Sequence, residues 1–383
     1  MNNIIFIETT DNFPYKFTAN NSKVKLLANG LIKAGNKVQI INNLRGSEIS
    51  SIPYTKGNDQ NIQYFTFPLY STQRFGIFKN LYQQGKILKT LKRENEKNII
   101  IMGQPYLLLF LIEVIRYRLM GFKIGVTKTE WPSDIKTIKG LKRLDYIISD
   151  KIFGYFIDFI FPISSFIEEK CKKFHKPMFR IPILASFPPY NTNILPKKYF
   201  LLCSTLAYME NIKLAIDSFN LFQQKSNISY RLKLILSGNK SQIDNIQKYI
   251  NTYPNLNIDI YQQIPYITLL KLYSEAEGLL IPLQNTNQDK ARFSQKIAEY
   301  ISTGRPIITN NVGDIQIYFK HKVNAYIAES YDKKTFSEIM KDISLNPEEA
   351  TQIGKQGYLT GVEYFDNINF GQKLNTFLHS QFI

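Results

Sequence analysis

Cysteine, histidine and tryptophan are scarce in this chain. Among 383 residues there are two Cys, three His and one Trp. Cys171 and Cys203 lie far apart, so neither a disulfide framework nor a thiolate metal site is expected. His175, His321 and His379 form no metal-spaced pair, and no carboxylate pair has convincing ligand spacing; no metal is expected. So few thiols fit a reducing compartment, and a cytoplasmic location is the expectation. A long apolar run is missing too. The most apolar stretch, 105–125, is interrupted by Glu113, Arg116 and Arg118, and reads as a buried or interfacial helix. The N-terminus has no basic start followed by an apolar signal run.

Positive charge is abundant. Lys and Arg number 48 against 31 Asp and Glu, a net +17. Such a surplus favours nucleic acid, anionic lipid or a phosphate-rich ligand. No zinc finger, helix-turn-helix or RNP-like signature accompanies it, so no nucleic-acid partner is expected. Basic clusters at 87–97, 170–180 and 228–233 read mostly as solvated faces, with adhesion to an anionic membrane as the alternative for the N-terminal half.

The length suits two domains of about 180 residues each. Residues 2–8 read as a strand, 22–35 as a helix with Val24, Leu27, Leu31 and Ile32 on one side, and 37–42 as a strand. This βαβ opening predicts a parallel sheet. The stretch 60–68 is ambiguous. A helix at 76–94, strands at 99–103 and 123–128, a long helix over 142–160, a strand at 161–164, a helix at 165–174 and a short strand at 179–184 complete the first half. The three prolines of 185–198 suggest a linker. The alternation then restarts, ending in helices near 331–342, 346–357 and 365–383. The expected fold class is α/β, with two Rossmann-like domains facing each other across a cleft: 1–190, 191–362, and a C-terminal helix over 363–383 packing back on the first.

The most informative window is 291–319. Glu299 sits on a predicted helix that starts near Ser294 and ends at Gly304, before a strand at 306–309. Free N–H groups at the helix start, with Arg292 and Lys296 beside them, suit a phosphate. Glu299 lies at i,i+3 from Lys296 and could bind paired ribose hydroxyls; equally, the two could form a surface ion pair.

Glu299, Tyr300, Gly304, Pro306, Ile307, Ile308 and Gly313 follow, in order, the nucleotide-sugar motif of the retaining GT-B glycosyltransferases of group 1 (family 4) type, which the sequence resembles. That bacterial family includes polysaccharide, capsule and lipopolysaccharide enzymes. The resemblance is strong over about 195–320. It implies that Glu299 binds the donor ribose and that Phe293, Ser294 and Gln295 lie near the diphosphate. Gly238 and Asn239 would form a loop near the donor, and Ile264 with Pro265 would meet the base. Tyr266 would stack or serve the core. Arg292 and Lys296 would stabilise the departing diphosphate, and Glu130, after a parallel strand, would be an active-site residue. Trp131 would be an acceptor wall or a core residue. The donor would be a UDP- or GDP-linked sugar, with no further cofactor. The acceptor would be a glycan or lipid-linked glycan, reached from the inner face of the cell membrane.

The sequence departs from that pattern in several places. The first of two family glutamates is replaced by Ala291, with Asp289 nearby. Glu210 stands where a phosphate-binding lysine is usual, with Lys213 as the substitute. The loop after the first strand has no glycine; Asn20, Asn21 and Ser22 could cap the helix there. Asp158 and Ser164 resemble an Asp–Ser stretch of the family, with helix capping as the simpler role for Ser164. Two other readings therefore stand beside the first: a GT-B-shaped protein that binds without turnover, and a sugar-nucleotide epimerase on the same plan.

Overall fold

The computed structural model describes residues 1–7, 13–15, 18–42, 55–66, 76–104, 106–135, 138–191 and 193–381. Much of the loop after the first strand, the end of the 60–68 stretch and the last two residues lie outside these. The chain divides into two compact units. The first comprises Met1–Leu184, Ala291–Phe293 and Asn367–Ile383; the second, Ala185–Lys290 and Ser294–Asp366.

The first unit holds β1 (Asn2–Ile7), α1 (Ala19–Lys33), β2 (Lys37–Asn42), β3 (Thr55–Asp59), β4 (Ile62–Thr66), α2 (Gly76–Leu91), β5 (Lys97–Met102), α3 (Leu107–Leu119), β6 (Lys123–Lys128), α4 (Gly140–Ile152), β7 (Phe159–Pro162) and α5 (Ser165–Cys171). Its seven strands run in the order β3-β4-β2-β1-β5-β6-β7. All neighbours are parallel except β3, which pairs antiparallel with β4 at the edge. Within the ambiguous 60–68 stretch, β4 is thus one arm of a hairpin. Ile4, Ile5, Phe6, Ile99, Ile100 and Ile101 are fully buried, as expected for central strands covered on both faces. The C-terminal helix α14 (Asn367–Ser380) belongs to this unit and lies against α1, with Asn367 Nδ2 donating to Leu26 O at 3.1 Å.

The second unit runs β8 (Lys197–Thr205), α6 (Met209–Lys225), β9 (Arg231–Ser237), α7 (Lys240–Ile250), β10 (Ile258–Tyr261), α8 (Tyr266–Ser274), β11 (Ala276–Ile281), α9 (Asn287–Ala291), α10 (Gln295–Ile301), β12 (Ile307–Asn310), α11 (Ile315–Tyr318), β13 (Tyr326–Ala328), α12 (Lys333–Leu345) and α13 (Pro347–Tyr364). Its sheet, β10-β9-β8-β11-β12-β13, is parallel throughout. From β8 the chain winds outward to β10, then returns to β11 and winds the other way. The reversal between β8 and β11 is the topological switch point, where ligands meet the carboxyl ends of strands.

Three expectations need correction. The helix predicted over 142–160 ends at Ile152; a 3-10 turn at Phe153–Phe156 follows, and then β7. Aromatic packing of Phe153 on Phe174, 4.9 Å between ring centres, fixes the break. The strand predicted at 179–184 is a loop that still bonds the edge of β7, through Phe179 N–H to Ile160 O and Ile181 N–H to Pro162 O. The linker-like segment from Ala185 packs into the second unit: Phe187 meets Tyr358 edge-on and Tyr190 meets it at a tilt, and the Tyr358 hydroxyl donates to Pro188 O at 2.6 Å.

Candidate functional site

The carboxyl ends of β8, β9 and β10 lie side by side in the second unit, and several of the expected donor residues lie there. Gly238 and Asn239 follow β9. A Cβ on Gly238 would sit 2.6 Å from Leu206 Cδ1, so this glycine lets two neighbouring loops close on each other. Asn239 caps α7, accepting from Gln242 N–H at 3.0 Å, while the Gln242 side chain accepts from Asn239 N–H. Its side chain and its N–H are thus both committed to the helix cap. Ile264 and Pro265 lead from β10 into α8, and Tyr266 opens that helix half exposed.

Helix α10 carries the central pair. Ser294 is its N-cap residue, and its hydroxyl makes no capping bond. Gln295, Lys296 and Glu299 are half-buried on its seven residues, while Ile297, Ala298, Tyr300 and Ile301 are buried. Burial pushes the Glu299 carboxyl above its ordinary range, and Lys296 pulls it partly back. Burial also raises the Tyr266 phenol to about 12, with Glu299 adding to the rise. Glu299 and Lys296 both act on Cys203, near the end of β8, whose thiol is raised chiefly by burial. Glu299 thus lies within electrostatic reach of Lys296, Cys203 and Tyr266. The next residue, Tyr300, is fully buried and accepts a hydrogen bond from Cys203 N–H at 2.9 Å. In this Glu-Tyr pair the tyrosine locks α10 to β8 and the glutamate faces outward beside it. Gly304 closes the motif in a left-handed conformation, φ +72°, and any Cβ there would meet the Tyr190 ring.

The loops after β11 and β12 are pinned. Asn310 exchanges two hydrogen bonds with Leu283, at 2.8 and 2.7 Å. Asp289 accepts from Gln284 N–H at 2.7 Å and is buried, so it anchors its own loop instead of supplying the missing glutamate's sugar contact. Glu210 and Lys213 bond each other at 3.0 Å with Glu210 exposed. Sequence reasoning missed the Tyr300–Cys203 and Asn310–Leu283 locks; a buried Tyr or Asn at a strand end is the signal that could have found them.

Arg292 and Phe293 pack with the first unit, so the expected diphosphate segment divides between Phe293 and Ser294. Phe293 is buried. Burial lowers the Arg292 guanidinium to about 10, against the attraction of Glu130. Glu130 itself is exposed, just past β6. Beneath it Lys128 is buried and donates to Asp150 Oδ1 at 2.6 Å and Gln104 Oε1 at 2.5 Å. Burial lowers its pKa, and Asp150 opposes that. Trp131 is also buried, with Lys128, Lys170 and Lys173 5.0–5.5 Å from its ring centre, so it packs in the core and forms no acceptor wall. Ser164 caps α5 and its hydroxyl donates to Ala291 O at 2.5 Å. Asp158 accepts from Ile124 N–H at 2.9 Å and pairs with Arg118 and Lys123 at the opposite end of the sheet from Glu130; it is structural. The cap of α1 is Thr18, accepting from Asn21 N–H at 3.2 Å, and not one of the three residues after it.

Residues 190–360 match the family described as Glycosyl transferases group 1. No curated protein matches. Among solved structures, sucrose-phosphate synthase from Thermosynechococcus elongatus aligns with TM-score 0.75 and 14% identity, covering 100% of this chain and 99% of that one. Anabaena HepE in complex with UDP and glucose aligns with TM-score 0.71 and 11% identity, over 99% of this chain and 100% of that one. A glycosyltransferase from Rickettsia africae gives TM-score 0.69 and 13% identity, over 99% and 98%. The GT-B fold class and the group 1 resemblance read from the 291–319 motif are borne out.

Proposed function

We propose that this chain, whose residues 190–360 are of the group 1 glycosyltransferase type, moves a sugar with retention from a nucleoside-diphosphate donor to a hydroxyl of a cell-envelope or capsular glycan. The observation that carries the reading is the half-buried Glu299 on α10, beside Cys203 and Tyr266 at the carboxyl ends of a parallel sheet. A carboxylate held there accepts two ribose hydroxyl bonds, and those bonds offset its burial. Solved neighbours are in complex with UDP and glucose, which favours a UDP-linked sugar. Ile264 and Pro265 meet the base. Ser294, Gln295 and Lys296 approach the diphosphate.

In the reaction the bond from the anomeric carbon to the diphosphate oxygen breaks and a bond to the acceptor oxygen forms on the same face. The acceptor proton passes to the departing phosphate, so no separate base is required. Lys296 stabilises the charge that develops on the diphosphate. In the first unit Glu130 attracts the Arg292 guanidinium, which stays charged at neutral pH with a pKa of about 10. The acceptor is a glycan or lipid-linked glycan, met at a membrane surface without crossing it; no helix among the described residues is long and apolar enough to span one.

The test is acceptor-dependent release of UDP from UDP-sugars, with GDP-sugars in parallel, followed by NMR of the product's anomeric configuration. Transfer with retention is expected. Nucleotide binding with no transfer to any envelope glycan would favour the non-catalytic reading, which the Glu210–Lys213 pairing at the usual phosphate-clamp position supports. Conversion of the sugar nucleotide without acceptor would identify an epimerase.

A further inference from the structure

Three neighbouring helices of the first unit carry large apolar side chains on their outer faces. On α3, Phe110, Glu113, Val114 and Tyr117 face the interior. Its opposite face should be polar. Instead it presents Leu108, Ile112, Ile115 and Leu119, spaced four, three and four residues apart, with Leu119 85% exposed. On α4 the buried residues are the polar Ser149 and Asp150, while Leu141, Leu144 and Ile148 point outward, Leu141 at 86% exposure. On α2, Phe78 and Tyr82 are exposed one turn apart. The helices are contiguous. Tyr117 donates to Gln84 Oε1 at 2.7 Å, joining α3 to α2. Leu107 N–H donates to Asp145 Oδ1 at 3.2 Å and Tyr106 stacks on Tyr146, joining α3 to α4. Between α2 and α3 lies an open groove of about 450 Å³, lined by Ile112, Ile115, Leu119 and Met120 with Lys89 and Arg116.

Of the 23 large hydrophobic residues exposed among the described residues, 12 fall between Phe78 and Phe156. Apolar exposure concentrated to that degree marks a binding surface. Charge identifies the occupant. Residues 76–156 carry 15 Lys and Arg against 7 Asp and Glu, a surplus of 8 out of the chain's net +17. Cations alternate with the apolar tips: Leu141 and Leu144 flank Lys142 and Arg143, all four exposed. The first turn of α4 has no acidic residue, and Lys139, Lys142 and Arg143 stand at its positive end. A helix dipole disfavours cations there unless anions cover them. A second copy of this face would bring like charge against like charge, because a twofold contact pairs each patch with itself.

We propose that the outer face of α2, α3 and α4 is a monotopic docking surface for an anionic lipid bilayer. Leu108, Leu119, Leu141 and Leu144 enter the acyl boundary and the surrounding Lys and Arg meet lipid phosphates. The docking surface deepens the membrane contact of the proposed function and rests on that reading only for its purpose. Binding itself needs neither donor nor acceptor.

The experiment is sedimentation of the full chain with vesicles of phosphatidylcholine alone and of phosphatidylcholine mixed with phosphatidylglycerol. The protein should pellet with the mixed vesicles only, and less so as salt rises. The double variant L119S/L141S, which keeps the charge, should weaken partitioning about tenfold or more. Its melting temperature and its response to nucleotide should be unchanged, since both leucines are at least 85% exposed. A control on the second unit, L195S/L345S, 77% and 67% exposed, should bind as the wild type does. No pelleting with anionic vesicles, or equal binding by wild type and L119S/L141S, overturns the proposal. So does a stable dimer that the double variant converts to monomer. A nucleotide-induced thermal shift in lipid-free solution tests the donor site separately, so the two readings fail independently.

Discussion

The two units share a parallel α/β plan and expose their function in opposite ways. In the second, strand ends, a buried tyrosine and a short helix hold Glu299 and Lys296 against the switch point, and the outward surface is otherwise ordinary. In the first, the counterpart strand end is closed by a buried Lys128–Asp150 pair, and the unusual chemistry has moved to the outside of its helices. One unit therefore keeps its irregularity at its strand ends and the other on a surface. A common fold constrains where a small ligand can sit, but leaves the helix exteriors free to diverge.

The largest expected effect breaks the first unit. Lys128→Ala leaves Asp150 buried without its cation and should cost about 3–5 kcal/mol in urea denaturation. Lys128→Met with Asp150→Leu together should recover much of that loss, which distinguishes a stranded charge from a packing defect. In the second unit, Tyr300→Phe strands the Cys203 N–H and should cost about 1–3 kcal/mol, with a weaker nucleotide response because α10 loses its lock to β8. If both variants unfolded equally easily, the contrast between a charged and a neutral closure would not hold.

A smaller effect concerns pH. Because Glu299 is held above the ordinary carboxylate range, the folded protein binds its proton more tightly than the unfolded chain does. Its contribution to stability is complete below the ordinary carboxylate range and is lost as pH rises through the raised value. Glu299→Gln should therefore raise the melting temperature of the free protein at pH 7 by a small amount, and the gain should vanish under acid conditions. An unchanged difference at both pH values would place the carboxylate in water.

The α/β alternation was legible because central strands here are continuous apolar runs and the helices keep a 3.6-residue period. The failures came where one apolar run crosses two elements. From Ile152 to Phe161 all residues but Gly154 and Asp158 are apolar or aromatic, and period alone cannot separate a helix end, a 3-10 turn and a buried strand. The 291–319 window placed Glu299 and Lys296 on one helix and Gly304 in the turn after it, since spacing along one helix and turn is local information. The Lys128–Asp150 pair spans 22 residues, and the lock from Tyr300 to Cys203 spans 97. Neither leaves a periodic trace. The exposed apolar faces of α3 and α4 were hidden for a related reason: hydrophobic spacing shows which residues share a face, not which face is inside.

The central claim is that Glu299 anchors a nucleotide. Its most direct test is a thermal-shift titration of the full chain with UDP, GDP and ADP and their sugar conjugates, wild type beside Glu299→Ala. The account predicts a rise with uridine ligands and a loss of affinity of about ten- to a hundredfold in the variant. Equal shifts in wild type and variant, or no shift with any nucleotide, would contradict it.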